Sequence, residues 1–90
     1  MPLPRIEPAA PRVLIADDDP IFRSLARSRL ERIAGDIVEA EDGTSAWGHI
    51  RAGDFQLVVV DLDMPGFDGF GLIQVLRGHP RTRHIPIVVC

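Results

Sequence analysis

Residues 13–20 read VLIADDDP: four apolar side chains in succession, then three carboxylates and a proline. A continuous apolar run, as opposed to an alternating one, belongs to a strand covered on both faces, as in the parallel sheets of α/β proteins. The change at Asp17 is abrupt, so this strand ends at a charged rim. Asp19 followed by Pro20 has the form of a helix N-cap and first helical position. Apolar Phe22, Leu25, Ala26, Leu30 and Ile33 then recur at three- and four-residue intervals, and Gly35 stands where a left-handed residue commonly ends a helix.

The same alternation continues downstream. Ile37, Val38 and Ala40, interleaved with Glu39 and Glu41, predict a shorter and more polar strand suited to a sheet edge. Asp42-Gly43 turns it into a helix from about Thr44 to Ala52 that carries Ala46, Trp47 and Ile50, and Gly53-Asp54 ends that helix. Phe55 to Val60 is the second strongly apolar strand, stopped by Asp61. Asp68 caps a third helix running to about Arg77, with Leu72, Ile73, Val75 and Leu76 toward the core, and Ile85 to Cys90 forms a fourth strand. Strands and helices in strict alternation imply parallel strands joined by crossovers, hence an open, doubly wound α/β sheet.

Composition narrows the function. Ninety residues, 46% hydrophobic and 26% charged, suffice for one core. Four of the eight prolines fall within the first 11 residues, so residues 1–11 are expected to be a flexible arm and residues 12–90 the domain. A net charge of -3 excludes nucleic-acid binding through a broad basic surface. The single cysteine, Cys90, excludes an internal disulfide framework, and no apolar run approaches membrane-spanning length, so a cytoplasmic bacterial protein is expected. All ten cations are arginine.

In open α/β sheets, ligands bind beyond the carboxyl ends of the strands. Here the first strand delivers Asp17, Asp18 and Asp19 to that end, and the third delivers Asp61 and Asp63. If the two strands are neighbours, about 4.8 Å apart, four carboxylates converge and repel one another. A hard divalent cation relieves that repulsion, and Mg²⁺ suits one or two carboxylates, a carbonyl, waters and a phosphate oxygen. A carboxylate beside Mg²⁺ is also a nucleophile toward phosphorus, giving an aspartyl phosphate. Asp61 is best placed for attack, since a buried strand fixes its backbone while its side chain emerges at the mouth.

With VLIADDDP at 13–20, VVVDLDMPGFDG at 58–69 and HIPIVV at 84–89, the sequence resembles the receiver domain of bacterial two-component response regulators over residues 12–90. The resemblance implies a flavodoxin-like fold with strand order 2-1-3-4. It also implies that Asp61 accepts a phosphoryl group from a histidine kinase or a His-containing phosphotransfer protein. Asp18 would be a direct Mg²⁺ ligand, Asp17 would assist through water, and the main-chain carbonyl of Asp63 would complete the protein's share. Met64-Pro65 and Asp68-Gly69 match the loop after the acceptor strand.

The family pattern has five strand-helix units, whereas this sequence stops at the fourth strand and contains no lysine. On that comparison the fourth helix, the fifth strand with its phosphate-pairing lysine, the fifth helix and the Ser or Thr that senses the phosphoryl group are lacking. The expectation is retained Mg²⁺ binding, slow or absent phosphorylation, and self-association through an exposed C-terminal strand carrying Ile87, Val88 and Val89. Two other readings are open. Asp61-Leu62-Asp63 resembles the opening motif of haloacid dehalogenase-type phosphatases, but that motif expects Thr or Val at Pro65, a place on the first strand and a later lysine. A non-catalytic module binding a kinase or another receiver is the second.

Several residues have plainer readings. Asp19 is a helix cap, while Asp42 and Asp54 are turn residues. Arg23, Arg27, Arg29 and Arg32 form a solvated face with Glu31 as local partner, and Trp47 covers the core. Phe67 and Phe70 pack the loop and helix start. His49, His79 and His84 lack ligand spacing.

Overall fold

A computed structural model describes residues 10–64 and 68–89. Strand and helix alternate throughout: β1 (Arg12–Ala16), α1 (Pro20–Leu30), β2 (Asp36–Ala40), α2 (Gly43–Ala52), β3 (Leu57–Val60), α3 (Gly69–Gly78) and β4 (Ile87–Val89). All pairings are parallel, and the sheet order is β2-β1-β3-β4. The apolar run of β1 is thereby explained, since this strand is central, with β2 on one side and β3 on the other. Expectations for the first nine residues, Phe67 and Cys90 lie outside the described residues.

Alternation along the strands divides the core into two layers. Leu14 and Ala16 of β1 share one face with Val58 and Val60 of β3, packed against Ala46 and Ile50 of α2 and Leu72 and Leu76 of α3. Phe55, Met64 and Ile85 complete that layer. The opposite face presents Val13, Ile15 and Val59, covered by Ala26 and Leu30 of α1. Each large aliphatic side chain buried in this way stabilises the fold by about 1.5–3 kcal/mol.

Helix α1 departs from the sequence-based expectation. It stops at Leu30, and Glu31 caps it in right-handed conformation with its N–H bonded to the Arg27 carbonyl. Gly35 is therefore not the cap. Its N–H donates to the Pro11 carbonyl at 2.8 Å, and a Cβ there would lie 2.9 Å from the Ala10 Cβ, so close approach of the chain calls for glycine. Phe22, Leu25 and Ile33 are exposed, not turned inward. The stripe facing the sheet keeps Ala26 and Leu30 of the apolar series, as expected, and adds Arg23 and Arg27 in place of Phe22, Leu25 and Ile33. The two arginines set that orientation: Arg23 and Arg27 both reach Glu39 on β2, at 3.3 and 2.8 Å, and Arg27 also meets Glu31 at 3.7 Å. These arginines are consequently not the purely solvated face expected of them.

Smaller differences have local causes. Strand β3 begins at Leu57; Phe55 is buried ahead of it under the Arg12 guanidinium, 4.6 Å from the ring centroid, while Arg12 and Gln56 exchange hydrogen bonds. Strand β4 begins at Ile87, after Pro86, which has no N–H to give the ladder. Phe70 is exposed, so it does not pack the start of α3. Asp42 proves to be the N-cap of α2, accepting from Ser45 N–H at 2.7 Å, and Trp47 covers the core beside the His79 ring, centroids 5.0 Å apart.

The arginine bias also finds a use. Arg81 donates through one terminal nitrogen to the carbonyls of Ile50 and Arg51 at the end of α2, and Arg77 likewise to those of Arg83 and Ile85. Between them Thr82, buried, donates its hydroxyl to the Leu76 carbonyl at 2.7 Å. Thr82→Val leaves that carbonyl only the long 3.5 Å bond from His79 N–H and is expected to destabilise the protein by about 1–3 kcal/mol, measurable by urea unfolding.

Candidate functional site

The acids sit where the topology sends them. Ala16 pairs with Val60, so the next residue on each strand, Asp17 and Asp61, leaves the sheet at one rim. Backbone bonds fix both: Asp17 N–H donates to Ala40 on β2 at 3.0 Å, and Asp61 N–H to Ala16 on β1 at 2.9 Å. Asp18 follows into solvent. Carboxylate oxygens of Asp17, Asp18 and Asp61 all lie within 4.8 Å of one another. A cavity of about 440 Å³ opens over them, lined by Asp17, Asp18, Asp19, Phe22, Asp61 and Asp63.

The expected convergence of four carboxylates is corrected to three. Asp63 lines the cavity, but its carboxylate is not in the cluster; it is exposed, and its N–H turns back to Asp61 Oδ1 at 3.1 Å. That bond is a tight Asx turn, which brings the backbone after Asp61 close to the Asp61 carboxylate. Asp19 caps α1, its Oδ1 accepting from Ile21 N–H at 2.9 Å, as expected for its neighbour Pro20.

Electrostatics within the cluster is unbalanced. Among the described residues the ion pairs join Arg12 to Asp36, Arg23 and Arg27 to Glu39, Arg27 to Glu31, and Arg81 to Asp54, and none includes Asp17, Asp18 or Asp61. Arg23 is turned to the Asp17 main-chain carbonyl at 2.7 Å. Burial raises the Asp17 carboxyl above its ordinary 3.8, and the charges of Asp61, Asp18 and Asp19 add to the rise, against a lowering bond from Asp19 N–H. The donor set is all oxygen, compact and short of positive charge, which fits a hard divalent cation.

The raised value fixes the sign of a pH dependence. With its folded value above its unfolded one, Asp17 takes up a proton on folding, so its ionisation opposes the metal-free fold and the penalty disappears as pH falls through the window above 3.8. A bound cation reverses this, because it needs the ionised form. The stability of the protein relative to Asp17→Asn is therefore expected to rise from about pH 7 to about pH 4 in EDTA, and to fall over the same range in saturating Mg²⁺. Thermal melts of both proteins check this.

Three features of the site carried no sequence signal. Arg23 holds the carbonyl after β1, which only a pairing between α1 and β2 makes necessary. Gly69 is seated against the backbone of Asp61 and Leu62, where a Cβ would come within 2.7 Å of Leu62 Cα. Phe22 lines the mouth of the cavity and is not core. The turn signal of Asp68-Gly69 pointed to the cap but not to this contact.

The family model described as "Response regulator receiver domain" matches residues 13–90. The response regulator GtcR of Aneurinibacillus migulanus is 39% identical over 77 residues, covering 86% of this chain and 31% of that protein. The chemotaxis protein CheY of Pseudomonas aeruginosa is 32% identical over 79 residues, covering 87% of this chain and 64% of CheY. Among solved structures, the signal receiver domain of a signal transduction histidine kinase from Syntrophus aciditrophicus superposes with a TM-score of 0.84 at 28% identity, covering 89% of this chain and 61% of that one. The chain thus spans less than two thirds of the length of each of these three proteins. On the family match and on the order of its sheet, this chain belongs to the response regulator receiver domains.

Proposed function

We propose that Asp61 is the phosphoacceptor of this domain and that Asp17, Asp18 and Asp61 hold one Mg²⁺ ion beside it. The observation that carries this reading is the meeting of three carboxylates from two adjacent strands within 4.8 Å, with no ion pair to them among the described residues. Asp18, which is exposed, would be the direct ligand, and Asp17, whose carbonyl is tied to Arg23, would act through water. The main-chain carbonyl of Asp63 supplies a further oxygen. When bound there, Mg²⁺ would supply the positive charge that lets an anionic phosphoryl group approach the acids.

The chain's own residues do the rest. The ladder bond from Asp61 N–H to Ala16 holds the nucleophile's backbone, and the Asx turn to Asp63 N–H engages Oδ1 and so orients the carboxylate. Phosphoryl transfer asks mainly for such positioning. The donor is a histidine kinase or a His-containing phosphotransfer protein, and the domain acts in the cytoplasm. It is an acceptor, not a turnover enzyme. Membership of the receiver family and the place of Asp61-Leu62-Asp63 after the third strand give the phosphatase reading no support.

Intact mass after incubation with acetyl phosphate tests the proposal. A slow gain of one phosphoryl group with Mg²⁺, absent in EDTA, is expected; unmodified protein in both conditions after long incubation refutes it and favours a non-catalytic binding module. Self-association is the second part of the partner reading. It is favoured by the outermost strand β4, where Val88 and Val89 are each 49% exposed, and a monodisperse monomer in light scattering at high concentration refutes it.

A further inference from the structure

Phe22 stands apart among the groups around the acid cluster. Among the described residues every other side chain lining the cavity is a carboxylate, namely Asp17, Asp18, Asp19, Asp61 and Asp63, and Phe22 alone of these offers an apolar, polarisable surface. It is 57% exposed in the first turn of α1, so packing does not account for it. The sheet-facing stripe of this helix, through Arg23, Ala26, Arg27 and Leu30, leaves the ring beside the mouth of the cavity.

We propose that Phe22 is the wall that recognises the leaving group of the phosphodonor, and that the leaving group it fits is a flat imidazole. This inference rests on the reading of Asp61 as acceptor. An aromatic face next to a group of anions attracts a planar ring that carries positive charge, through stacking and cation–π contact. A phosphorylated imidazole has that character, because its second ring nitrogen is protonated near neutral pH. In the transfer an Asp61 carboxylate oxygen forms the new O–P bond while the P–N bond breaks. The electron pair of that bond passes to the ring nitrogen, and the ring leaves as neutral imidazole with the proton it already carried. A small acyl or amine leaving group has no face to present to Phe22.

The test uses the full chain and two donors with the same P–N bond, phosphoimidazole and phosphoramidate, the latter without a ring. The initial rate of Asp61 phosphorylation is followed by mass at fixed Mg²⁺ and pH. In Phe22→Ala the ratio of the phosphoimidazole rate to the phosphoramidate rate is expected to fall about fivefold. Leu25→Ala is the control, an exposed residue of the same helix that does not line the cavity, and it is expected to leave the ratio unchanged. An unchanged ratio in Phe22→Ala, or an equal fall in Leu25→Ala, overturns the inference while leaving the acceptor reading intact. Failure of the wild-type chain to label with either donor overturns the acceptor reading and the inference with it.

Discussion

Asp61→Asn is expected to leave the fold standing and to remove all covalent labelling. The amide keeps a carbonyl oxygen where Oδ1 accepts from Asp63 N–H at 3.1 Å, so the turn after β3 survives, and the ladder bond of residue 61 to Ala16 is a main-chain bond. What disappears is the second anionic oxygen, and with it the nucleophile. Removing one of three mutually repelling charges also relieves the Asp17 carboxyl, whose upward shift Asp61 supports. Far-UV circular dichroism equal to wild type, a melting temperature equal or higher in EDTA, and no mass gain with acetyl phosphate and Mg²⁺ are the expected results. Mass gain in the variant would show that the acceptor lies elsewhere.

Gly69→Ala is expected to damage the same site from behind. An added Cβ would overlap the Asp61 carbonyl oxygen and sit 2.7 Å from Leu62 Cα and 2.9 Å from the Asp61 carbonyl carbon. These are backbone atoms, so no rotamer change relieves the overlap, and the junction of β3 with α3 must move. Overpacking of this kind costs about 1–3 kcal/mol, a fall in melting temperature of roughly 4–8 °C per kcal/mol for a domain of this size. The displaced backbone carries Asp61, so Mg²⁺ affinity and labelling are expected to fall together with stability. Gly48→Ala in α2, where a Cβ meets nothing within 4 Å, is the control, and its higher helix propensity is expected to stabilise by about 0.5–1 kcal/mol. A Gly69→Ala protein that melts and binds Mg²⁺ like wild type would show that Gly69 does not seat the acceptor.

The parts of this molecule that were legible in the sequence are those fixed by one-dimensional pattern. An unbroken apolar run ending in acid could only be a central parallel strand with a charged end, and two such runs placed the site on the rim shared by β1 and β3. Asp19 and Asp68 announced their caps through Pro20 and Gly69. The rest depended on pairings between distant segments. Phe22, Leu25 and Ile33 have the spacing of a buried stripe, yet α1 turns Arg23 and Arg27 inward beside Ala26 and Leu30 because both arginines are drawn to Glu39, a residue met only after β2 pairs with β1. Gly35 has the position of a helix cap, and its actual constraint comes from Ala10 and Pro11, which precede β1. Asp63 follows the same strand, which predicts a fourth converging carboxylate, whereas the Asx turn ties its N–H to Asp61 and leaves its carboxylate outside the cluster.

Calorimetric titration of Mg²⁺ into the metal-free protein near neutral pH, run in parallel on Asp18→Asn, tests the central claim most directly. Acids delivered by β1 and β3 to one rim predict saturable binding at a single site in the wild type, with affinity at least about tenfold weaker in the variant. Binding of equal strength in both proteins, or none in a folded wild type, would contradict the claim.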